Sequence, residues 1–67
     1  MLSYDESTDQ YSVSVRLGNF VLPPGVQLQF KMDTIGYFIA YVEDNMIMRV
    51  PLTDAEYREI SEEYENL

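Results

Sequence analysis

MIMRVPLTDAEYREISEEYENL, Met46 to Leu67, is where the chain changes its period, and that change decides the fold class. Met46, Met48 and Val50 fall on alternate positions, as on one face of a strand, and Pro51 closes the run because it has no backbone donor. Beyond it the apolar residues recur at helical spacing, with Tyr57, Ile60, Tyr64 and Leu67 forming one narrow stripe. The helix start is specified residue by residue. Thr53 is a good N-cap, Glu56 completes a capping box, Asp54 puts negative charge in the first turn, and Leu52 and Tyr57 occupy the staple positions. A strand that feeds a capped, amphipathic helix over 53–67 predicts an α+β domain with the helix laid across a sheet.

Upstream, the pattern is that of strands. Tyr11, Val13, Val15 and Leu17 alternate with Ser12, Ser14 and Arg16, the signature of a half-buried strand. Gly18-Asn19 reads as a tight turn and Phe20 to Leu22 as a short return strand. Pro24 and Gly25 suit the central positions of a type II turn. Val26, Leu28, Phe30 and Met32 against Gln27, Gln29 and Lys31 make a second alternating strand, ending at Asp33 to Gly36. Tyr37 to Val42 is apolar throughout, which predicts a central strand covered on both faces, by the helix on one side and by a partner or loop on the other. Glu43-Asp44-Asn45 offers a hairpin turn into the strand from Met46.

The expectation is one domain, 1–67: a lead-in or strand fragment over 1–10, an antiparallel β-meander of about four strands over 11–51, and the C-terminal helix on one face. The core expected from the periodicity is Val13, Val15, Leu17, Val26, Leu28, Phe30, Ile39, Tyr41, Ile47, Val50, Tyr57, Ile60 and Tyr64.

Size and composition exclude several functions. At 67 residues the chain buries only about 60% of its unfolded surface, so the core must be efficient, and a homodimer sharing that core is compatible with the size. With no Cys there is neither a disulfide framework nor a thiolate metal site, and with no His the usual proton shuttle and zinc ligand are missing. No Ser has a base beside it in any recognisable motif, and no phosphate-binding glycine loop occurs. No catalytic residue, metal or cofactor is expected. Met1 to Glu6 turns acidic at once, without a basic leader or a membrane-length apolar run, and a cytoplasmic location is the expectation.

The formal charge is -8, with Arg16, Lys31, Arg49 and Arg58 the only cations, so direct nucleic-acid binding is not expected. Carboxylates crowd the helix opposite its apolar stripe: Glu56, Glu59, Glu62, Glu63 and Glu65. The last three stand against the unfavourable end of the helix dipole, Glu59 and Glu63 repel at a four-residue spacing, and only Arg58 can pair, with Asp54 or Glu62. Local stability alone would not choose these charges. Asp5, Glu6 and Asp9 add to them; Asp5-x-Ser7-x-Asp9 opens like a calcium loop, but Gln10 stands where the sharp turn needs Gly and Arg16 where a bidentate Glu belongs. The segment Tyr4-Asp5-Glu6-Ser7-Thr8-Asp9 resembles a short stretch of the phage uracil-DNA glycosylase inhibitors that mimic DNA, a likeness confined to those residues.

These observations predict a small non-catalytic binding module, an inhibitor or modulator of the phage anti-defence, repair or transcription type. Its negative surface would enter the cleft of a basic nucleic-acid-binding protein such as a nuclease, glycosylase, CRISPR effector or polymerase. Glu56, Glu59, Glu62, Glu63 and Glu65 would carry the contact, extended by Asp5, Glu6 and Asp9. Phe20 and Leu22, in an apolar loop flanked by turn formers, are secondary contact candidates, with a core plug as the plainer reading. Met1, Met32, Met46 and Met48 with Tyr37 and Tyr41 read as core filling before they read as an adaptable surface. The alternative function is assembly, through a strand edge or the Phe20 to Pro24 loop.

Overall fold

The computed structural model describes Met1 to Leu67 and is α+β, as the change of period predicts, but its strands form two sheets. β1 (Leu2–Asp5), β2 (Gln10–Val15) and β3 (Gly18–Val21) make one antiparallel sheet in that order. β4 (Gln29–Met32), β5 (Tyr37–Glu43) and β6 (Met46–Leu52) make the other, and α1 (Asp54–Glu65) follows. No helix is long and apolar enough to cross a membrane.

The strand count rises from about four to six for physical reasons visible at the breaks. Leu2 to Asp5, expected as a lead-in or strand fragment, is a strand that pairs in register with Val13 to Gln10. After β3, Pro23 and Pro24 lack the backbone donors that a continuing ladder needs, so the meander stops and the chain crosses to a second sheet. Gly25 turns the chain there with φ +73°, in keeping with a type II turn, and its N–H donates to the Asp9 carbonyl at 2.9 Å. Val26 to Leu28 lies outside any strand, and β4 begins only at Gln29. The β5–β6 hairpin forms as read: Glu43 pairs with Met46, and Asp44 and Asn45 both take positive φ, the requirement of a type I′ turn. Pro51, read as the end of β6, is paired with Phe38 inside it. In a two-residue hairpin the closing pair exchanges both bonds, so Pro51 falls at a position whose N–H would face the free edge.

The core is one cluster between the sheets and the helix: Leu2, Val13, Leu22, Leu28, Ile39, Val50, Leu52 and Ile60. Tyr11, Val15, Val26, Phe30, Tyr41, Tyr57 and Tyr64 pack around it, half-buried. Two expected members are absent. Leu17 is 65% exposed because the β2–β3 turn falls on Arg16-Leu17, not Gly18-Asn19: Val15 pairs with Gly18, whose φ of +143° suits glycine alone. Ile47 is 70% exposed because it lies an odd number of residues from Val50 and so points to the other face. Leu22, a candidate contact residue, is instead 1% exposed and plugs the core, and Phe20 packs half-buried against the same cluster. β5 is central, as expected, but its outer face is left partly open: Val42 there is 59% exposed. The methionines grade outward along β6, from half-buried Met48 to exposed Met46.

Truncating a side chain of this cluster leaves a cavity. Ile39→Ala and Ile60→Ala are each expected to cost about 2–5 kcal/mol, whereas Leu17→Ala should stay within about 0.5 kcal/mol of the parent. Urea midpoints of the three variants check this; a Leu17→Ala loss equal to the other two would return Leu17 to the core.

Candidate partner-binding surfaces

α1 starts as its sequence requires, but it ends at Glu65, and Leu67, the last residue of the expected stripe, lies beyond it and is 66% exposed. The Thr53 hydroxyl accepts the Glu56 N–H at 3.2 Å and the Glu56 carboxylate accepts the Thr53 N–H at 2.8 Å, which closes the capping box. Leu52 and Tyr57, at the staple positions, both pack in the core. Ile60 is fully buried, and Tyr57 and Tyr64 flank it. Along this stripe runs an unbroken chain of aromatic contacts, Tyr4 to Tyr11, Tyr11 to Tyr64, Tyr64 to Phe30, Phe30 to Tyr57 and Tyr57 to Tyr37, with ring centroids 4.4 to 6.1 Å apart.

The five helix glutamates do not form one outward row. Glu56 spends its second oxygen on the Arg16 N–H, 2.6 Å away in the β2–β3 turn, and Glu63 accepts the Leu2 N–H of the edge strand β1 at 2.9 Å. Both lie on a half-buried flank of the helix. They tie the first sheet to α1 and are not free to meet a partner. The backbone donors of Thr53, then Arg16, hold the Glu56 carboxyl below its ordinary pKa. Glu59, Glu62 and Glu65 are exposed and accept no hydrogen bond from the chain. The last turn has no basic residue, and Arg58 forms no ion pair with Asp54 or Glu62; the one salt bridge joins Arg49 to Asp33 at 3.8 Å.

The acidic β1–β2 loop is a separate group. The Asp5 carboxylate accepts the Ser7 N–H at 3.0 Å and its hydroxyl at 2.7 Å, which lowers the Asp5 pKa. Asp9, at φ +56°, accepts the Tyr4 hydroxyl at 2.5 Å, and that bond raises the Tyr4 pKa to about 12. These carboxylates are turned to their own loop, not toward a common cation, and Glu6 is exposed beside them.

A third surface is the face of β5 away from the helix, expected from the sequence to be covered by a partner or loop. Alternation along β5 puts Phe38, Ala40 and Val42 on the face away from α1, beside Pro51, Arg49 and Ile47 of β6 and beside Lys31 and Gln29 of β4. The Arg49 guanidinium sits 4.9 Å above the Phe38 ring. The loop at Pro24 to Gln27 walls one side of a groove of about 570 Å³ over Ala40, Val42 and Ile47. The available signal was the uninterrupted apolar run of β5, which asks for cover on both faces.

The chain matches no protein-family model, no curated protein and no solved structure.

Because the folded pKa of Glu56 is depressed, the stability it contributes is present above the ordinary glutamate range and is lost as pH falls through the folded value. Glu56→Gln should thus unfold earlier than the parent near pH 7, with the gap narrowing as pH falls below the ordinary glutamate range and through the depressed folded value. Thermal midpoints across that range test it: a gap that persists unchanged in acid assigns the loss to packing.

Proposed function

We propose that the chain is a non-catalytic binding module whose outward helix face docks in a basic cleft of a nucleic-acid-handling protein and blocks or modulates it. The partner class is one that normally grips phosphates with Lys and Arg: a nuclease, glycosylase, CRISPR effector or polymerase of the host cytoplasm, as for a phage-encoded inhibitor. The reading is carried by Glu59, Glu62 and Glu65. They stand exposed and unpaired along one side of α1, where mutual repulsion disfavours them and the dipole disfavours Glu62 and Glu65 in the last turn, in a chain of charge -8. Charges held against local stability and unused by the fold are what a salt-sensitive encounter surface requires. Glu6 widens the anionic surface; Glu56, Glu63, Asp5 and Asp9 contribute field but are held by internal hydrogen bonds.

The assembly reading draws on a different feature, the free edge of β6, where Ile47 and Arg49 turn their N–H and C=O groups outward and Pro51 withholds a donor. Light scattering at two concentrations separates the readings, since a large oligomer supports assembly and a monomer or dimer the inhibitor.

Changing Glu59, Glu62 and Glu65 together to Gln should abolish low-salt capture of DNA- and RNA-binding proteins from host lysate. The same change should stabilise the fold, by about 0.3–1 kcal/mol for each of Glu62 and Glu65, the two charges at the unfavourable end of the dipole, at low ionic strength. Pull-downs at low and high salt, paired with urea melts, read both effects. Capture that survives the triple change with its salt dependence intact would end the proposal.

A further inference from the structure

We propose that the free edge of β3 is a self-association seam, along which a second copy of the chain adds its own β3 antiparallel to make one six-stranded sheet. The two-fold axis passes through Phe20. This inference does not rest on the anionic helix face, which the pairing leaves open: α1 packs against β1, at the opposite edge of that sheet.

The free sheet edges are not alike. An exposed edge invites another strand unless charge, proline or a cover blunts it. On β1 the outward Leu2 N–H is taken by Glu63, β4 carries Lys31, and β6 carries Arg49 and Pro51. β3, Gly-Asn-Phe-Val, has neither charge nor proline. The Leu22 N–H donates to the Tyr11 carbonyl, so Phe20 and Gly18 likewise face β2, and the N–H and C=O groups of Asn19 and Val21 point outward. A two-fold axis at Phe20 sets Asn19 of each copy opposite Val21 of the other, and every one of those outward groups finds a partner. Phe20 then meets its own counterpart at a non-hydrogen-bonded position, where side chains across a seam lie closest.

Charge selects a second copy as the occupant. No carboxylate of the chain lies between Asp9 and Asp33, so β2, β3 and the turn joining them hold none, and two chains of charge -8 can approach there. The ends of the edge are complementary. At the Gly18 end stands Arg16, which has no ion pair, and at the Val21 end lies the Gly25 turn, whose N–H is held by the carbonyl of Asp9. Antiparallel pairing brings the Arg16 end of each copy to the Asp9 end of the other, a match that a two-fold axis repeats on both sides. Apolar burial adds to it: Val21 is 69% exposed and Phe20 half-buried, on a chain with only nine buried residues.

Sedimentation equilibrium of the full chain between about 10 μM and about 1 mM, with amide hydrogen exchange over the same range, tests the seam. The expected result is a dimer whose Asn19 and Val21 N–H groups exchange more slowly as concentration rises. Val21→Pro removes an outward donor that the β2 ladder does not use, and Val21→Lys puts charge on the edge at an exposed position. Each should weaken the dimer by about tenfold or more, and the urea midpoint of Val21→Lys should stay near the parent's. If Val21→Pro fails to fold, Val21→Lys decides. Ile47→Lys, on the β6 edge, should leave the dimer unchanged. Added salt should tighten the dimer by screening -8 against -8, whereas it loosens the capture proposed for α1, so the two readings fail separately. A chain still monomeric at about 1 mM, a species larger than a dimer, or a dimer that salt dissociates would overturn the proposal. So would a dimer that survives Val21→Lys or is lost with Ile47→Lys.

Discussion

The fold depends on α1 lying across two sheets that are not hydrogen-bonded to each other. Each sheet has three strands and an apolar inner face, and a sheet of that size needs an apolar layer against it to be stable. The helix touches β1 of one sheet and β5 and β6 of the other. Ile60 enters the common core, where a fully buried aliphatic side chain contributes about 1.5–3 kcal/mol, and the tyrosines on either side join the aromatic chain that runs from one sheet to the other. With only nine buried residues in 67, little else holds the halves together.

This constraint explains why the helix carboxylates divide. Those on the flanks of the stripe, Glu56 and Glu63, reach backbone N–H groups of the first sheet at the β2–β3 turn and at the start of β1. A carboxylate accepting a backbone donor satisfies a group that a strand edge or turn would otherwise leave to water, so these two charges have a structural cause. Those on the crest, Glu59, Glu62 and Glu65, have none. The separation turns an apparent row of five into a clamp of two and a free set of three, of which Glu62 and Glu65 lie in the last turn, where the helix dipole is least favourable to them.

The molecule is also open on its other side. Facing away from α1, the second sheet presents Phe38, Val42 and Ile47 beside Lys31 and the paired Arg49 and Asp33, a partly exposed apolar surface. The two-sided character of β5 produces it: a strand with Ile39 on one face and Phe38, Ala40 and Val42 on the other cannot hide both faces under a single helix. A domain with one helix and two sheets has no second layer to spend there.

Local chemistry was legible wherever it acts within a few residues. The capping box at Thr53 and Glu56, the Asp44-Asn45 hairpin, the stripe at Tyr57, Ile60 and Tyr64, and the α+β class all follow from spacing and turn chemistry. The resemblance of Tyr4 to Asp9 to a DNA-mimicking inhibitor suggested a kind of partner but no geometry. What joins residues far apart in the chain had to wait for the tertiary structure: that Pro23 and Pro24 divide the strands between two sheets, that Leu22 is core, that Leu17 and Ile47 are not, and that Glu56 and Glu63 bind Arg16 and Leu2. A periodic pattern states that a side chain has an inner and an outer face. Only the packing of the elements decides which face is inner, and which of several identical carboxylates finds a backbone donor within reach.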